Sequence, residues 1–177
     1  MSLVETKKHI VQGQFYVSEI PGEVISTILG SCVAACLHDP KTRLGGMNHF
    51  LLPGSDPNTN RNIKYGAHSM EQLINALLRR GAARNRLEVQ LFGGANVVKG
   101  LSSIGDQNAA FARDFVQNEG FCLTYADLGG VNGRRLQFSP TTGRAVSVRF
   151  DSVPIDIDHH ISKSRQPNAV TSGVELF

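Results

Sequence analysis

Two apolar segments joined by a short polar turn place the strongest constraint on the fold of this chain. Residues 33–38 (VAACLH) and residues 44–52 (LGGMNHFLL) are rich in apolar and small side chains, as buried strands are. The sequence DPKT between them, at residues 39–42, has turn chemistry. Proline fixes its own φ, and an aspartate side chain accepts hydrogen bonds from the backbone that follows it. These segments therefore predict an antiparallel hairpin.

The predicted hairpin brings a cysteine and a histidine together. If the turn is centred between Pro40 and Lys41, Cys32 lies directly opposite His49. Directly opposed residues share one face of a sheet, with Cβ atoms about 4.5–5.5 Å apart. A nucleophilic thiol needs a base at this range. A bulge at the two glycines of residues 45–46 would shift the pairing by one residue and send the side chains to opposite faces.

The residues around Cys32 suit a nucleophile. Gly30 and Ser31 precede it, and glycine lets the backbone turn tightly there, so nearby N–H groups are candidates for an oxyanion hole. Ser26 and Thr27, just upstream, place hydroxyl groups where they could orient an imidazole or a substrate amide. A thiol paired with a protonated histidine has its pKa lowered, which favours the reactive thiolate.

The remaining cysteines and histidines have simpler interpretations. Cys36 and Cys122 lie in apolar strand patterns, where a cysteine is most often a small buried side chain. His38, beside the predicted turn, is expected to be in contact with solvent. The acidic and histidine residues at positions 156–160 have metal-ligand types but lack the spacing of a site, so no metal is expected.

The rest of the chain predicts an α+β domain with a strand-rich core. Residues 9–17 and 23–29 are predicted strands around a Pro-Gly turn, and further short strands are predicted up to residue 150. Residues 67–80 carry the apolar stripe of an amphipathic helix, and residues 106–118 predict a second helix. Residues 55–64, rich in asparagine, aspartate and proline, are expected to form an exposed loop.

Length and composition favour one intracellular domain. The 177 residues are divided into a domain at residues 1–155 and a polar tail at residues 156–177. The net charge of +3 comes without basic runs interleaved with aromatic residues, which argues against nucleic-acid binding. No apolar run is long enough to span a bilayer, and no secretory signal is visible. Three cysteines favour reduced thiols in a cytoplasm.

Several short motifs resemble those of CheD, the chemoreceptor glutamine deamidase family, over about residues 10–150. They are LGSCV at 29–33, DP at 39–40, GGMNH at 45–49, LP at 52–53, YG at 65–66, FGGA at 92–95, GG at 129–130 and TG at 142–143. The combination of the Gly-Ser-Cys element with a correctly spaced His-x-x-Leu-Pro element is specific.

The resemblance implies a fold and a set of site residues. It implies packed mixed β-sheets flanked by two main helices, similar to the deamidase domain of cytotoxic necrotizing factor toxins. It also implies that Cys32 is the catalytic cysteine and His49 the catalytic histidine. The third member in the family is a hydroxyl before the Leu-Gly-Ser-Cys turn. Gapless alignment favours Ser26 for this role over the neighbouring Thr27.

By the same resemblance, the substrate is a glutamine side chain on a methyl-accepting chemotaxis receptor. Deamidation to glutamate would pass through a thioester on Cys32 and need no metal or organic cofactor, and the same intermediate would serve hydrolysis of a glutamyl methyl ester. The main alternative is a non-enzymatic adaptor that binds chemoreceptors or a CheC-type phosphatase. A cysteine peptidase or transglutaminase would use the same chemistry on another acyl group.

Overall fold

The computed structural model of the chain describes residues 5–53, 60–97 and 103–151. Within these ranges the chain forms nine strands, two α-helices and one short 3₁₀ turn at Arg84–Arg86. The strands and helices, in chain order, are β1 (Thr6–His9), β2 (Phe15–Ser18), β3 (Glu23–Leu29), β4 (Val33–Asp39), β5 (Leu44–Asn48), α1 (Asn60–Arg79), β6 (Glu88–Gly93), α2 (Ile104–Asn118), β7 (Cys122–Leu128), β8 (Gly133–Ser139) and β9 (Arg144–Phe150).

The strands form two mixed sheets. The four-stranded sheet has the order β1-β3-β8-β9, in which β1 and β3 are parallel and the other neighbours antiparallel. The five-stranded sheet has the order β2-β5-β4-β6-β7, in which only β6 and β7 are parallel. The predicted α+β class with mixed sheets and two main helices is therefore confirmed.

The five-stranded sheet is buried on both faces, which explains the continuous apolar character of β4. One face packs against the four-stranded sheet around an intersheet cluster, whose buried members are Ile10, Ile25, Leu29, Ala34, Cys36, Met47, Phe92, Leu136 and Phe138. The other face packs against both helices through a second apolar cluster. In α1 this contact uses Met70, Leu73, Ile74 and Leu77, the stripe seen in the sequence. The result is a stack of three layers.

The prediction of one strand over residues 9–17 is wrong. Only its first residue, His9, belongs to β1 of the four-stranded sheet. Residues 10–14, the β1–β2 loop, follow, and β2 of the five-stranded sheet begins at Phe15. Gly13 has a positive φ of 85°, which glycine adopts without strain, and the amide of Gln14 donates to the carbonyl of Val11. A tight turn therefore interrupts a segment whose alternation suggested a single strand.

The first helix also begins earlier than predicted. α1 starts at Asn60, so the end of the predicted loop at residues 55–64 is helical. The early turns lack the apolar stripe because they bury Asn62 and Gly66, and a Cβ at Gly66 would collide with the ring of Phe111 on α2. The second helix begins two residues before its predicted start. No α-helix of the described residues is long and apolar enough to cross a membrane. The predicted tail, residues 156–177, lies outside the described residues.

Candidate active site

Cys32 lies where the chain passes from the four-stranded sheet to the five-stranded sheet. It is half-buried in the turn between β3 and β4. Two hydrogen bonds fix this turn against the end of β6: Ala95 N–H donates to Gly30 O at 2.9 Å, and Gly94 N–H donates to Cys32 O at 2.7 Å. The FGGA sequence thus forms a wall of the site, and the cysteine has a rigid backbone on both sides.

Gly93 shows how closely β6 approaches the cysteine. Its φ is 110°, and a Cβ added there would collide with the carbonyl oxygen of Cys32. Only glycine meets both requirements at this position. The turn that holds Cys32 and the end of β6 therefore pack backbone against backbone. A residue about sixty positions away in the sequence thus positions the backbone of Cys32.

His49 follows the end of β5 and is held from both sides. Its N–H donates to Gln14 O at 3.0 Å, and its carbonyl accepts from Gly13 N–H at 2.8 Å. The side chain of Asn48 accepts a hydrogen bond from Ala35 N–H at 2.9 Å, so a side chain takes over from the backbone ladder where β5 ends. The His49 side chain is 6% exposed. A fixed backbone and deep burial give its ring one defined position.

The hairpin forms, but its register differs from the predicted one by two residues. Cys36 pairs with Met47, and a bridge between Val33 and Phe50 continues the same register. Position 32 therefore corresponds to position 51, and Cys32 is not directly opposite His49. The turn has the predicted four residues but is centred one residue later, between Lys41 and Thr42, because Asp39 pairs with Leu44. Arg43 closes this turn with a positive φ of 56°, and its N–H donates to Asp39 O.

A shift of two residues keeps both side chains on the same face of the sheet, whereas a shift of one would have separated them. Cys32 and His49 become diagonal neighbours, which in regular antiparallel sheets are about 7–8 Å apart at the backbone. Cys32 packs against the intersheet cluster. His49 contacts Thr27 of the four-stranded sheet, so its ring also points between the sheets. Cys32 and His49 therefore lie on one face of the sheet, two positions apart in register.

Thr27 is the hydroxyl that contacts the histidine. Its Oγ1 donates to the carbonyl of Ile10 at 2.8 Å and lies 2.8 Å from His49 Nδ1. A hydroxyl has one proton to donate, and here the Ile10 carbonyl takes it. Nδ1 must therefore carry a proton and donate it to Thr27, which leaves Nε2 as the basic nitrogen. No hydrogen-bond partner for Nε2 occurs among the described residues.

Ser26, the residue favoured from the sequence as the partner of the imidazole, does not make the contact with His49 that Thr27 makes. Successive residues of a strand point to opposite faces, so Thr27 points between the sheets and Ser26 points away from them. Ser26 Oγ lies 3.3 Å from Nδ1 of His9 on the outer face. Alignment without gaps from Cys32 does not show which of the two residues faces the second sheet. That depends on the length of the turn after β3, which one sequence does not reveal.

Burial lowers the pKa of His49. The pKa falls from 6.5 to about 4, mainly because the protonated ring would lose its hydration, and secondly because of the nearby positive charge of His9. The imidazole is therefore neutral at pH 7, with the proton on Nδ1 and a lone pair on Nε2. A buried neutral imidazole is a base that acquires charge only when a negative partner forms beside it.

Gln12 also belongs to this site and was not among the predicted site residues. The thiol of Cys32 donates to Gln12 Oε1 at 3.8 Å, a distance suited to a weak sulfur donor. Gln12 lies at the tip of the β1–β2 loop. No loop was predicted here, because residues 9–17 were interpreted as one strand. A Gly-containing turn signal at Gln12-Gly13 was the available clue.

The other cysteines differ in exposure. Cys36 is buried between the sheets, and desolvation raises the pKa of its thiol. Cys122 is exposed, contrary to expectation, because β7 is an edge strand. His38 is buried, where solvent contact was expected. Its Nδ1 lies 2.8 Å from Pro140 O, in the turn between β8 and β9.

A thiol and a buried imidazole oriented by a hydroxyl are the groups that cysteine-dependent acyl-transfer enzymes use. Comparison with known proteins identifies the family. The model of the family described as CheD, chemotactic sensory transduction, matches residues 51–149. The chain is 58% identical over 170 residues to a protein of Jannaschia sp. (strain CCS1), covering 96% of this chain and 93% of that protein.

A protein of Sinorhizobium medicae (strain WSM419) is 47% identical over 173 residues, with 96% of this chain and 94% of that protein covered. Both relatives are named probable chemoreceptor glutamine deamidase CheD. The chain belongs to the CheD family.

Among solved structures, the chain is similar to Neisseria meningitidis protein NMB0706, of the family DUF152. The TM-score is 0.39 at 10% identity, over 66% of this chain and 52% of that chain. Bacillus licheniformis hypothetical protein YfiH matches with a TM-score of 0.39 at 12% identity, over 64% of this chain and 49% of that chain. The expected similarity to a toxin deamidase domain stays a prediction.

Proposed function

We propose that this chain deamidates glutamine side chains of chemoreceptors in the cytoplasm, with Cys32 as the nucleophile and His49 as the base. The names of the relatives support the reaction and the substrate class. The observation that carries the assignment to these residues is the hydrogen bond between Thr27 Oγ1 and His49 Nδ1. It leaves Nε2 as the basic nitrogen of a buried imidazole.

The reaction begins when His49 Nε2 accepts the proton of the Cys32 thiol and the sulfur attacks the carboxamide carbon of a receptor glutamine. The C=O π electrons move to oxygen, and backbone N–H groups around Gly30 and Ser31 stabilise this oxyanion. Nε2 then protonates the leaving nitrogen, the C–N bond breaks, ammonia departs, and a thioester remains on Cys32. Throughout both steps, Nδ1 keeps its proton and donates a hydrogen bond to Thr27 Oγ1.

The second half of the reaction uses the same groups. Nε2 removes a proton from water, the resulting hydroxide equivalent attacks the thioester carbon, and the C–S bond breaks. The Cys32 sulfur leaves with the proton from Nε2, and glutamate is released. A glutamyl methyl ester would form the same thioester after loss of methanol, so we propose it as a second substrate.

The low pKa of His49 determines the resting state of the proposed pair. Because burial keeps the imidazole neutral, the enzyme rests as thiol and imidazole rather than as thiolate and imidazolium. The imidazolium forms as the sulfur gains negative charge, and the attraction between the two compensates for lost hydration.

Receptor binding and, where a CheC-type phosphatase is present, binding of that partner are further parts of the proposal. An adaptor that works by binding alone would function without the thiol. A deamidase would not. The toxin-like sheet arrangement is proposed on the family resemblance, and an experimental structure superposed on a toxin deamidase domain would test it.

Mass spectrometry of a receptor cytoplasmic fragment tests the proposed activity. The fragment is incubated with the wild-type protein, with Cys32→Ala and with Cys122→Ala, which removes an exposed thiol elsewhere on the surface. We expect conversion of glutamine to glutamate, a gain of about 1 Da per site, with the wild type and Cys122→Ala only. Conversion that persists in Cys32→Ala would refute the assignment of the nucleophile. A complete lack of conversion by folded wild type on several receptors would favour the adaptor.

A further inference from the structure

The β1–β2 loop lies directly against the proposed catalytic groups. Its first residue, Ile10, accepts the hydroxyl proton of Thr27 at 2.8 Å. Gly13 donates to the carbonyl of His49, and Gln14 accepts from the His49 N–H. Three hydrogen bonds thus connect this loop to the two residues that form the basic side of the site. The loop is therefore held in place by the site residues and forms part of the site.

The loop is also braced internally. The side chain of Gln14 accepts from Val11 N–H at 3.1 Å, and the Gln14 N–H donates to Val11 O at 3.0 Å. These bonds close a turn whose tip is formed by Gln12 and Gly13. Gln12 is exposed to solvent, and its Oε1 accepts the hydrogen bond from the Cys32 thiol. A rigid loop therefore presents a solvent-accessible side chain at the nucleophile.

The chemistry of Gln12 is what makes this contact informative. Its side chain ends in a primary carboxamide, the same group that the proposed substrate presents to the same sulfur. Two carboxamides cannot both occupy the space next to one thiol. Because Gln12 is exposed, its side chain can rotate away without loss of packing, at the cost of one weak hydrogen bond.

We propose that Gln12 is an internal substrate mimic that covers Cys32 in the resting protein and is displaced when a substrate glutamine binds. This inference rests on the proposed function, since the mimicry is of a glutamine substrate. The cover reduces the reactivity of the thiol toward other electrophiles and favours a partner that can displace a carboxamide. The fraction of protein with the cover open sets the apparent affinity for substrate.

Alkylation of Cys32 tests the cover without any receptor. Rates of iodoacetamide labelling are measured by peptide mass spectrometry in the wild type, in Gln12→Ala and in Gln117→Ala, which truncates an exposed glutamine on α2. A hydrogen bond of ordinary net strength corresponds to about a 2- to 10-fold faster labelling of Cys32 in Gln12→Ala. Labelling of Cys122 provides the internal reference, and Gln117→Ala should match the wild type.

A second variant keeps both the length of the side chain and its acceptor oxygen, and so serves as a conservative control. Gln12→Glu keeps the length and an acceptor oxygen, and its negative charge disfavours the thiolate, so Cys32 should be labelled no faster than in the wild type. Thermal melting followed by circular dichroism shows whether each variant is folded. Equal labelling rates of Cys32 in wild type and a folded Gln12→Ala would overturn the proposal, whether or not the protein is a deamidase.

Deamidation kinetics then distinguish a cover from a residue that assists the chemistry. For a cover, Gln12→Ala should lower the apparent KM for a receptor fragment by about the factor seen in labelling, roughly 2- to 10-fold, with kcat unchanged. A fall in kcat with an unchanged KM would mean that Gln12 stabilises the transition state, and would contradict its role as a competitor of the substrate.

Discussion

Replacement of Thr27 by valine tests whether the Thr27 hydroxyl orients His49. Valine has nearly the same shape as threonine, so the change removes the hydroxyl and little else. The Thr27 hydroxyl now satisfies two buried groups, the Ile10 carbonyl and the His49 Nδ1 proton. Without it, both groups stay buried between the sheets with one hydrogen bond fewer. An unsatisfied buried polar group costs about 1–3 kcal/mol, and we expect a loss of stability in this range.

The effect on activity follows from the tautomer. Thr27 holds the proton on Nδ1, so that Nε2 remains basic and the ring stays in one orientation. If the same 1–3 kcal/mol is lost from the transition state, kcat falls by about 5- to 150-fold. The expected loss is smaller than for removal of Cys32, because the nucleophile and the base are still present.

Initial rates of deamidation of a receptor fragment, measured by mass spectrometry, provide the assay. Thr27→Ser keeps the hydroxyl and should retain activity within a few-fold of the wild type. Ser26→Ala, on the opposite face of β3, should have little effect. The reasoning fails if Thr27→Val keeps its kcat within twofold, or if Ser26→Ala lowers kcat as much as Thr27→Val does.

Two further predictions concern stability. Because the pKa of His49 is about 4 in the folded chain and 6.5 ordinarily, the unfolded chain binds a proton between these values that the folded chain does not. Stability should therefore fall as pH drops through this window, by up to about 3 kcal/mol. In urea titrations at pH 7 and pH 4.5, His49→Gln should lose less stability than the wild type, and equal losses would contradict the assignment. Gly93→Ala should cost about 2–4 kcal/mol in the same titrations at pH 7, from strain and from its contact with the Cys32 backbone. Gly120→Ala, also at positive φ but with open space around it, should cost only about 1 kcal/mol.

The hairpin between Cys32 and His49 could be predicted because it is local in sequence. The turn sequence and the apolar patterns of the two strands identify it. The register could not be obtained, since it depends on whether Arg43 adopts a positive φ and on how Asp39 is held. Asp39 accepts hydrogen bonds from the guanidinium of Arg86 and from Ala83 N–H, and both are distant in sequence. The prediction of a shared face survived because the error was an even number of residues.

Thr27 and Gln12 could not be assigned to the site from one sequence, for a different reason. Whether Ser26 or Thr27 faces the histidine depends on which face of β3 packs against the second sheet, and both residues offer a hydroxyl. Gln12 depends on the division of residues 9–17 between two sheets. Alternating polar and apolar residues are equally compatible with one long strand and with two short ones separated by a turn. Only the pairing partners, β3 for one half and β5 for the other, decide between them.

The position of the site follows from these crossings. The chain passes from the four-stranded to the five-stranded sheet twice in its first 33 residues, through the β1–β2 loop and through the turn that holds Cys32. β1 and β3 are parallel neighbours, so both crossings leave the same end of the four-stranded sheet side by side. The first crossing supplies Gln12, the second supplies the thiol, and β5 ends between them with His49. A site built where two such loops meet is held on both sides by backbone hydrogen bonds, from Gly13 to His49 O and from Gly94 to Cys32 O.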